Sequence, residues 1–281
     1  MSITGSRPAY TGAFEEALFD RVVRQYAPNI PLQRTSPPRD AATPEERDAL
    51  VDLYVWSTAH DLFIVQLAAR AVDRLFHEDP DFQLVLARQI GDDGAHAWAT
   101  RERITALSGW DQIARVEKSI AGHWDRVGEI AIGSWQGFLA WELHYEHHIL
   151  PKVLVRRRTT QIADLPFRTF AEERVVPDEE FHRIKITEWW LRKFDAAFPA
   201  QRQEWIAQIL EADEAIQHNI NPYLRDSWAL TERSSRIDAD NHVALYDNFR
   251  REILSYHLDI PLASLPALTS LEPQAAAARA A

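Results

Sequence analysis

Two stretches of the chain repeat one pattern of chemistry-bearing side chains. Residues 92–96 (Asp-Asp-Gly-Ala-His) and 178–182 (Asp-Glu-Glu-Phe-His) each contain an Asp, a second carboxylate, and a His three positions after that second carboxylate. Because residues three apart share a helix face, each stretch would present one carboxylate and one imidazole to a common point. A single such pair is common by chance. Two pairs within long helical patterns favour a fold in which two helices face a shared polar site.

Two further carboxylates occupy matching positions in the helical patterns that precede each motif. Asp61 is a lone acid in an apolar run, and Glu146 lies in the middle of the third long pattern. Asp61 precedes Asp93 by 32 residues, and Glu146 precedes Glu179 by 33. At about 1.5 Å per residue, some thirty residues make one pass along a helix, a turn and a return to the same level. Both halves of the chain therefore predict the same helical hairpin with the same ligand separation.

The spacing of apolar residues predicts an all-α chain. Apolar residues make up 46% of the 281 residues and recur at helical intervals, whereas glycine occurs only 9 times. The first long helix should begin at residues 43–46 (Thr-Pro-Glu-Glu), which form a capping box with proline at the first helical position. The long helices are expected near 44–76, 80–107, 133–158 and 178–196, with further helices at about 200–230 and 240–258.

Composition excludes several classes of site and partner. The chain has no cysteine, which rules out disulfides, thiolate zinc sites and iron–sulfur clusters, so any metal must be held by oxygen and nitrogen ligands. A formal net charge of −11 argues against nucleic acid or an anionic membrane surface as the main partner. The N-terminus lacks the apolar core of a signal peptide, and no apolar run approaches the length of a membrane span. We therefore expect a cytoplasmic protein without a membrane segment.

At its two motifs the chain resembles the ferritin-like non-haem di-iron oxygenase superfamily. Its pattern Asp-Glu-x-x-His is matched in full at 178–182 and with one substitution at 92–96. The superfamily includes catalytic subunits of phenylacetyl-CoA and benzoyl-CoA epoxidases and of bacterial multicomponent monooxygenases. In such bundles, two carboxylate-x-x-His pairs and two further carboxylates hold two iron or manganese ions. Asp61 and Asp93 stand where the family usually has Glu, which implies a smaller, more open or weakly occupied first site.

The resemblance covers roughly residues 44–198 and implies a ferritin-like four-helix bundle with extra N- and C-terminal helices. The expected organisation has four parts: an N-terminal tail, short helix and proline-rich strap at 1–43, the bundle at 44–198, additional helices packed on it at 199–260, and a flexible tail at 261–281. The first dozen residues are expected to be mobile.

Six residues are the expected ligands of two metal ions. They form two groups of three, Asp61, Asp93 and His96 for one ion and Glu146, Glu179 and His182 for the other. Asp93 and Glu179 are the expected bridges, because they come from the paired motifs. Six ligands do not saturate two octahedral metals, so positions remain open for dioxygen.

Three further acids have expected supporting roles. Asp92 and Asp178 fall one residue before the motif carboxylates and are expected to accept hydrogen bonds from the outer ring nitrogens of the ligand histidines, which orients such ligands. Glu142, one turn before Glu146, is either a further ligand or an outer-lying base.

The expected function is a non-haem di-iron oxygenase or oxidase. It would hold two iron ions, with manganese an alternative at one position, and use dioxygen as co-substrate to hydroxylate, epoxidise or N-oxygenate a small organic substrate. Because the chain has no cysteine, flavin fingerprint or glycine-rich phosphate loop, its electrons must come from a separate reductase or ferredoxin. A second copy of the chain or another oxygenase subunit is a further candidate partner.

Two alternatives stay open. One is a metal-free, structural ferritin-like subunit, in which the buried acids would pair with Arg70, Arg88 or Arg101. The other is an iron-storage or peroxide-detoxifying protein, which is less favoured because ferritins are shorter and rarely carry a C-terminal addition such as 199–260.

Overall fold

A computed structural model of the chain describes residues 7–32, 37–235 and 242–265, apart from the side chains of 148, 149, 235 and 242–244. The early helices are α1 Gly12–Tyr26, α2 Pro44–Arg74, α3 Pro80–Ser108, α4 Ile113–His123 and α5 Glu129–Gly133. The later helices are α6 Trp135–Thr159, α7 Leu165–Phe170, α8 Val176–Ala196, α9 Pro199–Ser235 and α10 His242–Leu258. Two π-helical turns, Trp124–Gly128 and Ala171–Val175, precede α5 and α8, and a short 3₁₀ turn occupies Leu262–Ser264.

The only strands in the described ranges are two short ones that pair in parallel. They are β1 Arg39–Asp40 and β2 Ile162–Ala163, with Arg39 opposite Ile162. The all-α expectation is thus confirmed for this part of the chain, and the four long helices lie where the sequence predicts them. No helix among the described residues is both long enough and apolar enough to cross a membrane.

The helices that carry the motifs begin and end at recognisable capping residues. At the start of α2, the Glu46 amide donates to Thr43 Oγ1 over 3.3 Å, and the Thr43 amide donates to Glu46 Oε2 over 3.4 Å. This reciprocal pair is the predicted capping box. At the start of α3, Asp79 accepts a hydrogen bond from the Phe82 amide over 3.1 Å. The helix ends at Gly109, whose left-handed φ of 83° favours glycine.

The long helices pack into one main hydrophobic core. Helix α2 packs along α3, α3 contacts α8, and α8 contacts α6, while α9 packs against both α6 and α2. Large buried side chains from seven helices meet in this core: Phe19, Phe63, Phe82, Trp141, Trp190, Ile220 and Phe249. Full burial of one such side chain stabilises the fold by roughly 1.5–3 kcal/mol. Helices α1, α9 and α10 therefore share a core with the four helices that carry the predicted ligands.

The segment just before α1 packs against the helices through one aromatic side chain. Tyr10 is buried, and its hydroxyl donates to Glu15 Oε1 over 2.7 Å and lies 2.8 Å from His147 Nε2. Within the segment 7–11, which was predicted as part of a tail, Tyr10 therefore has buried polar partners on α1 and α6. At the other end, Leu265 is buried, and the predicted tails at 1–6 and 266–281 lie outside the described residues.

Candidate metal centre

The two motifs face each other across α3 and α8 in the interior of the molecule. Asp93 and His96 lie on α3, Glu179 and His182 lie on α8, and all four side chains are buried. His96 Nδ1 lies 3.6 Å from Asp93 Oδ1 and 3.5 Å from Glu179 Oε1. The second oxygen of Glu179 lies 3.9 Å from His182 Nδ1. The Glu179 carboxylate thus extends between the two imidazoles.

Two groups of potential ligand atoms result from this arrangement. One consists of Asp93, His96 and Glu179, the other of Asp93, Glu146 and His182, and within each group the atoms lie within 4.8 Å of one another. Glu146 enters from α6, where its Oε1 lies 3.8 Å from His182 Nδ1. Asp93 belongs to both groups and therefore lies where a bridging carboxylate would.

The grouping differs from the predicted triads in two respects. Glu179 groups with His96 rather than with Glu146 and His182, and Asp61 belongs to neither group. Asp61 is nevertheless buried close by on α2. Burial raises its pKa well above the usual range, and the negative charge of Asp93 adds to this. Aspartate is one methylene shorter than glutamate, and the Asp61 carboxylate accordingly lies at the edge of the cluster.

Glu142 is buried beside the second group without being part of it. Its partner, Gln89, is a fully buried side chain on α3 that was not among the predicted site residues. Gln89 Nε2 donates to Glu146 Oε1 over 2.7 Å and to Glu142 Oε2 over 3.3 Å. It precedes Asp93 by one helical turn, so its position on the ligand face was the available signal.

The outer acids, Asp92 and Asp178, each contact the histidine of the opposite motif. Asp178 Oδ2 lies 3.3 Å from His96 Nε2, and Asp92 Oδ2 lies 3.3 Å from His182 Nε2. The Nε2 atoms therefore face the outer acids, and the Nδ1 atoms face the carboxylates in the interior. Such a carboxylate–imidazole contact fixes the ring orientation of a ligating histidine.

Arg88 joins the two outer acids and was not assigned this role from the sequence. Its guanidinium hydrogen-bonds Asp92 one turn along α3 and donates to Asp178 on α8 over 3.0 Å. It also lies 4.8 Å from the centre of the Phe181 ring. Of the three arginines considered for a metal-free site, Arg70 instead lies over Trp124 and Arg101 pairs with Asp111.

The inner acids have no such cation. They are the five buried carboxylates Asp61, Asp93, Glu142, Glu146 and Glu179. Among the described residues, no Lys or Arg nitrogen lies within ion-pair distance of any of them. Both oxygens of Asp93, one oxygen each of Glu142, Glu146 and Glu179, and the Nδ1 atoms of His96 and His182 have no hydrogen-bond partner there. Buried charges are normally paired or coordinate metals, so this donor set fits metal ions held by oxygen and nitrogen.

Titration behaviour reflects this concentration of acids. Burial raises the pKa of Glu142, Glu146 and Asp93, and neighbouring carboxylates contribute to each increase. Burial acts to lower the pKa of His96, but Asp93 and Glu179 outweigh it and raise that pKa to about 11. The protonated imidazole of His96 thus balances part of the negative charge of the cluster.

A cavity of about 200 Å³ adjoins the cluster, here called the site cavity. Asp61, His96 and Glu179 line one part of it, and aromatic side chains including Trp56 and Phe167 line its walls. Two residues of the π-helical turn before α8, Ala171 and Val175, also contribute. π-helical turns occur frequently at functional sites.

Comparisons of the chain with models of protein families, with curated proteins and with solved structures find no match. The geometry of the buried cluster is therefore the basis on which a function is inferred.

Proposed function

We propose that the chain is a non-haem di-iron enzyme that uses dioxygen to oxidise a small organic substrate, with α2, α3, α6 and α8 acting as a ferritin-like four-helix bundle. The observation that carries the proposal is the set of five inner acids with two imidazoles and, among the described residues, no Lys or Arg nitrogen within ion-pair distance. Removing unpaired carboxylates from water is costly. Two divalent cations would supply the missing positive charge, which explains why so many acids share one interior site.

The donor set indicates which residues would hold each ion. Asp93, His96 and Glu179 would hold one, and Asp93, Glu146 and His182 the other. Carboxylate and imidazole ligands suit iron and manganese. Asp61 and Glu142 lie next to these groups, where each can complete the coordination or hold a proton for the reaction.

When bound, the irons would supply dioxygen activation and the redox chemistry of the reaction. The chain's own residues have the remaining tasks. Asp92, Asp178 and Arg88 orient the two imidazoles, and the site cavity holds the substrate against the cluster and away from bulk water. Electrons would come from a separate reductase or ferredoxin, since the chain has no cysteine for a cluster of its own.

Iron binding by matched variants tests the proposal. Protein loaded anaerobically with ferrous iron should bind about two irons per chain, as di-iron bundles do. Glu179→Gln should lose most of this iron, because one oxygen of Glu179 contacts each imidazole. The matched control is Glu180→Gln, the same change at the next residue, whose side chain is only half-buried.

Metal analysis after gel filtration gives the stoichiometry, and oxygen uptake by the reduced protein gives the activity. The control should bind iron like the wild type. Retention of two irons by Glu179→Gln, or absence of iron from the wild type, would refute the proposed centre and favour the metal-free structural subunit.

A further inference from the structure

Two basic side chains lie on the wall of the site cavity, away from the two groups of potential ligand atoms. Lys152 and Arg156 are one turn apart on α6, and both line the same cavity as Asp61 and Glu179. Residues four apart share a helix face, so the two cations act on the same part of the cavity. Lys152 is only 5% exposed. The burial of a lysine in the cavity that adjoins the buried acids therefore requires an explanation.

The contacts of Lys152 leave its charge without a balancing anion. Its Nζ donates to Ser227 Oγ over 3.2 Å and lies 3.7 Å from the centre of the Trp56 ring. Both partners are neutral, and an ammonium group has three hydrogens to donate. No carboxylate of the described residues lies within ion-pair distance of Nζ. Burial accordingly lowers the pKa of Lys152 well below its usual value.

The acids that line this part of the cavity already have cations of their own. Asp164 accepts two hydrogen bonds from Arg103, at 2.7 and 3.0 Å. Glu172 accepts one from Arg168 over 2.6 Å. Neither carboxylate therefore neutralises Lys152, and the missing anion is expected to come from a ligand.

The size of the cavity limits that ligand. Lys152 follows Glu146 by six residues, which places it about 9 Å further along the axis of α6. Trp56, Phe167 and Val175 contribute aromatic and aliphatic walls to the same cavity. The volume of about 200 Å³ is below the range of roughly 300–1,000 Å³ typical of sites for drug-sized ligands. A small molecule with one anionic end and an apolar body fits this shape.

We infer that the site cavity binds a small organic carboxylic acid, with its carboxylate on Lys152 and Arg156 and its apolar body directed towards Asp61 and Glu179. The planar guanidinium of Arg156 matches the geometry of a carboxylate, and bonds between two charged partners are among the stronger hydrogen bonds. That this acid is the substrate to be oxidised rests on the proposed function, whereas the binding site itself does not.

Calorimetric titration of the iron-loaded full chain with two matched ligand pairs tests the inference. The pairs are benzoate with benzamide and hexanoate with hexanamide, which differ mainly in charge. Each acid should bind at least about tenfold more tightly than its amide, and Lys152→Met or Arg156→Met should weaken acid binding about ten- to a hundredfold, as expected for hydrogen bonds to charged groups. Lys118→Met, the same change at an exposed residue of α4 outside the cavity, should change nothing.

Several outcomes would overturn the inference: amides that bind as tightly as the acids, or a preference for acids that survives in both variants. A preference lost in Glu179→Gln but kept in Lys152→Met would mean that iron binds the acid. Displacement of benzoate by inorganic phosphate would also test the site. If phosphate competes as effectively as hexanoate does, the site is not specific for carboxylates, and the inference is wrong. Iron analysis of each sample separates the di-iron proposal from the acid-binding inference. If the protein binds no iron but still prefers acids to amides in a Lys152-dependent way, the di-iron centre is refuted and the acid-binding site is retained.

Discussion

At the scale of single residues, the carboxylates of the site differ in whether an arginine binds them. The outer acids, Asp92 and Asp178, share Arg88, whereas the inner acid Asp93 lies one residue away with no hydrogen bond to either oxygen among the described residues. Neighbouring positions on one helix therefore serve different purposes. An outer acid binds Arg88 and contacts an imidazole, and an inner acid leaves its oxygens available for the proposed metal ions.

The first prediction concerns the outer acid Asp92. Asp92→Asn keeps the shape of the side chain but removes the charge that faces His182 Nε2 and Arg88. Iron affinity should fall by roughly ten- to a hundredfold, the usual result of losing the partner of a ligating histidine. Melting temperatures measured with and without ferrous iron should show a smaller iron-dependent increase than in the wild type. Asp81→Asn, at an exposed residue of α3, is the matched control.

A metal-free structural subunit predicts a different result for the same variant. Without iron binding, neither the wild type nor Asp92→Asn would show an iron-dependent increase in melting temperature. Loss of one acid next to the buried cluster would then be neutral or mildly stabilising. Such a result would contradict the orienting role of Asp92.

The second prediction concerns the stability cost of Lys152. Its pKa is lowered in the folded state, so the folded protein binds fewer protons than the unfolded chain between the folded pKa and the ordinary value of about 10.4. Across this window the contribution of Lys152 to stability rises with pH. Lys152→Met should therefore be more stable than the wild type at pH 7, by roughly 1–3 kcal/mol for a poorly compensated buried group. The advantage should shrink towards pH 10.

Urea unfolding at several pH values measures this difference in free energy. Lys118→Met should show no pH-dependent change, because that lysine is exposed. Equal stability of Lys152→Met and the wild type at every pH would mean that the ammonium is well solvated. Greater stability combined with weaker acid binding would show that Lys152 is retained for binding rather than for folding.

Residue-level prediction from the sequence depended on helical spacing. The motif spacing indicated that Asp93, His96, Glu179 and His182 would share a site, and the structure brings their side chains together with Glu146. Spacing within one helix carries no information about a long side chain that reaches a second helix. For this reason Arg88 was named only as a general candidate partner of the buried acids, and its contact with Asp178, 90 residues further along the chain, was not predicted.

At the scale of helices, local sequence signals predicted the positions of the helices better than they predicted the irregularities within the helices. The capping box and its proline at residues 43–46 correctly indicated where α2 begins. The π-helical turn Ala171–Val175 has no comparable sequence signal, yet it lines the site cavity immediately before α8. Pro151 lies within α6, which continues to Thr159 because packing outweighs one missing backbone hydrogen bond. Packing against other helices determines where a π-helical turn forms or a helix continues past a proline, and the sequence contains only indirect information about that packing.

At the scale of the whole molecule, α1, α9 and α10 share a hydrophobic core with the helices that hold the candidate site. The sequence predicted α1, α9 and α10 as helices and placed the last two on the bundle, but it did not predict individual contacts, since contacts between distant segments leave no periodic pattern. Arg183, the residue after His182, forms a buried pair with Glu15 on α1, 168 residues earlier in the chain. Its Nε and Nη2 donate over 2.8 and 3.0 Å to the two oxygens of Glu15, and Tyr10 donates to the same carboxylate. The segment formed by Tyr10 and α1 thus contacts the motif helix α8 directly.

The last prediction tests this link through a double-mutant cycle. Glu15→Leu leaves the Arg183 guanidinium buried without its carboxylate, which should cost about 3–5 kcal/mol of unfolding free energy. Arg183→Met leaves the Glu15 carboxylate buried with Tyr10 as a remaining partner and should be somewhat milder. The double variant should recover most of the loss, because an apolar pair of similar volume often replaces a buried ion pair without penalty. Urea unfolding of the metal-free protein gives the coupling free energy. Additive losses in the double variant would show that Glu15 and Arg183 act independently, so that α1 does not stabilise α8 through this pair.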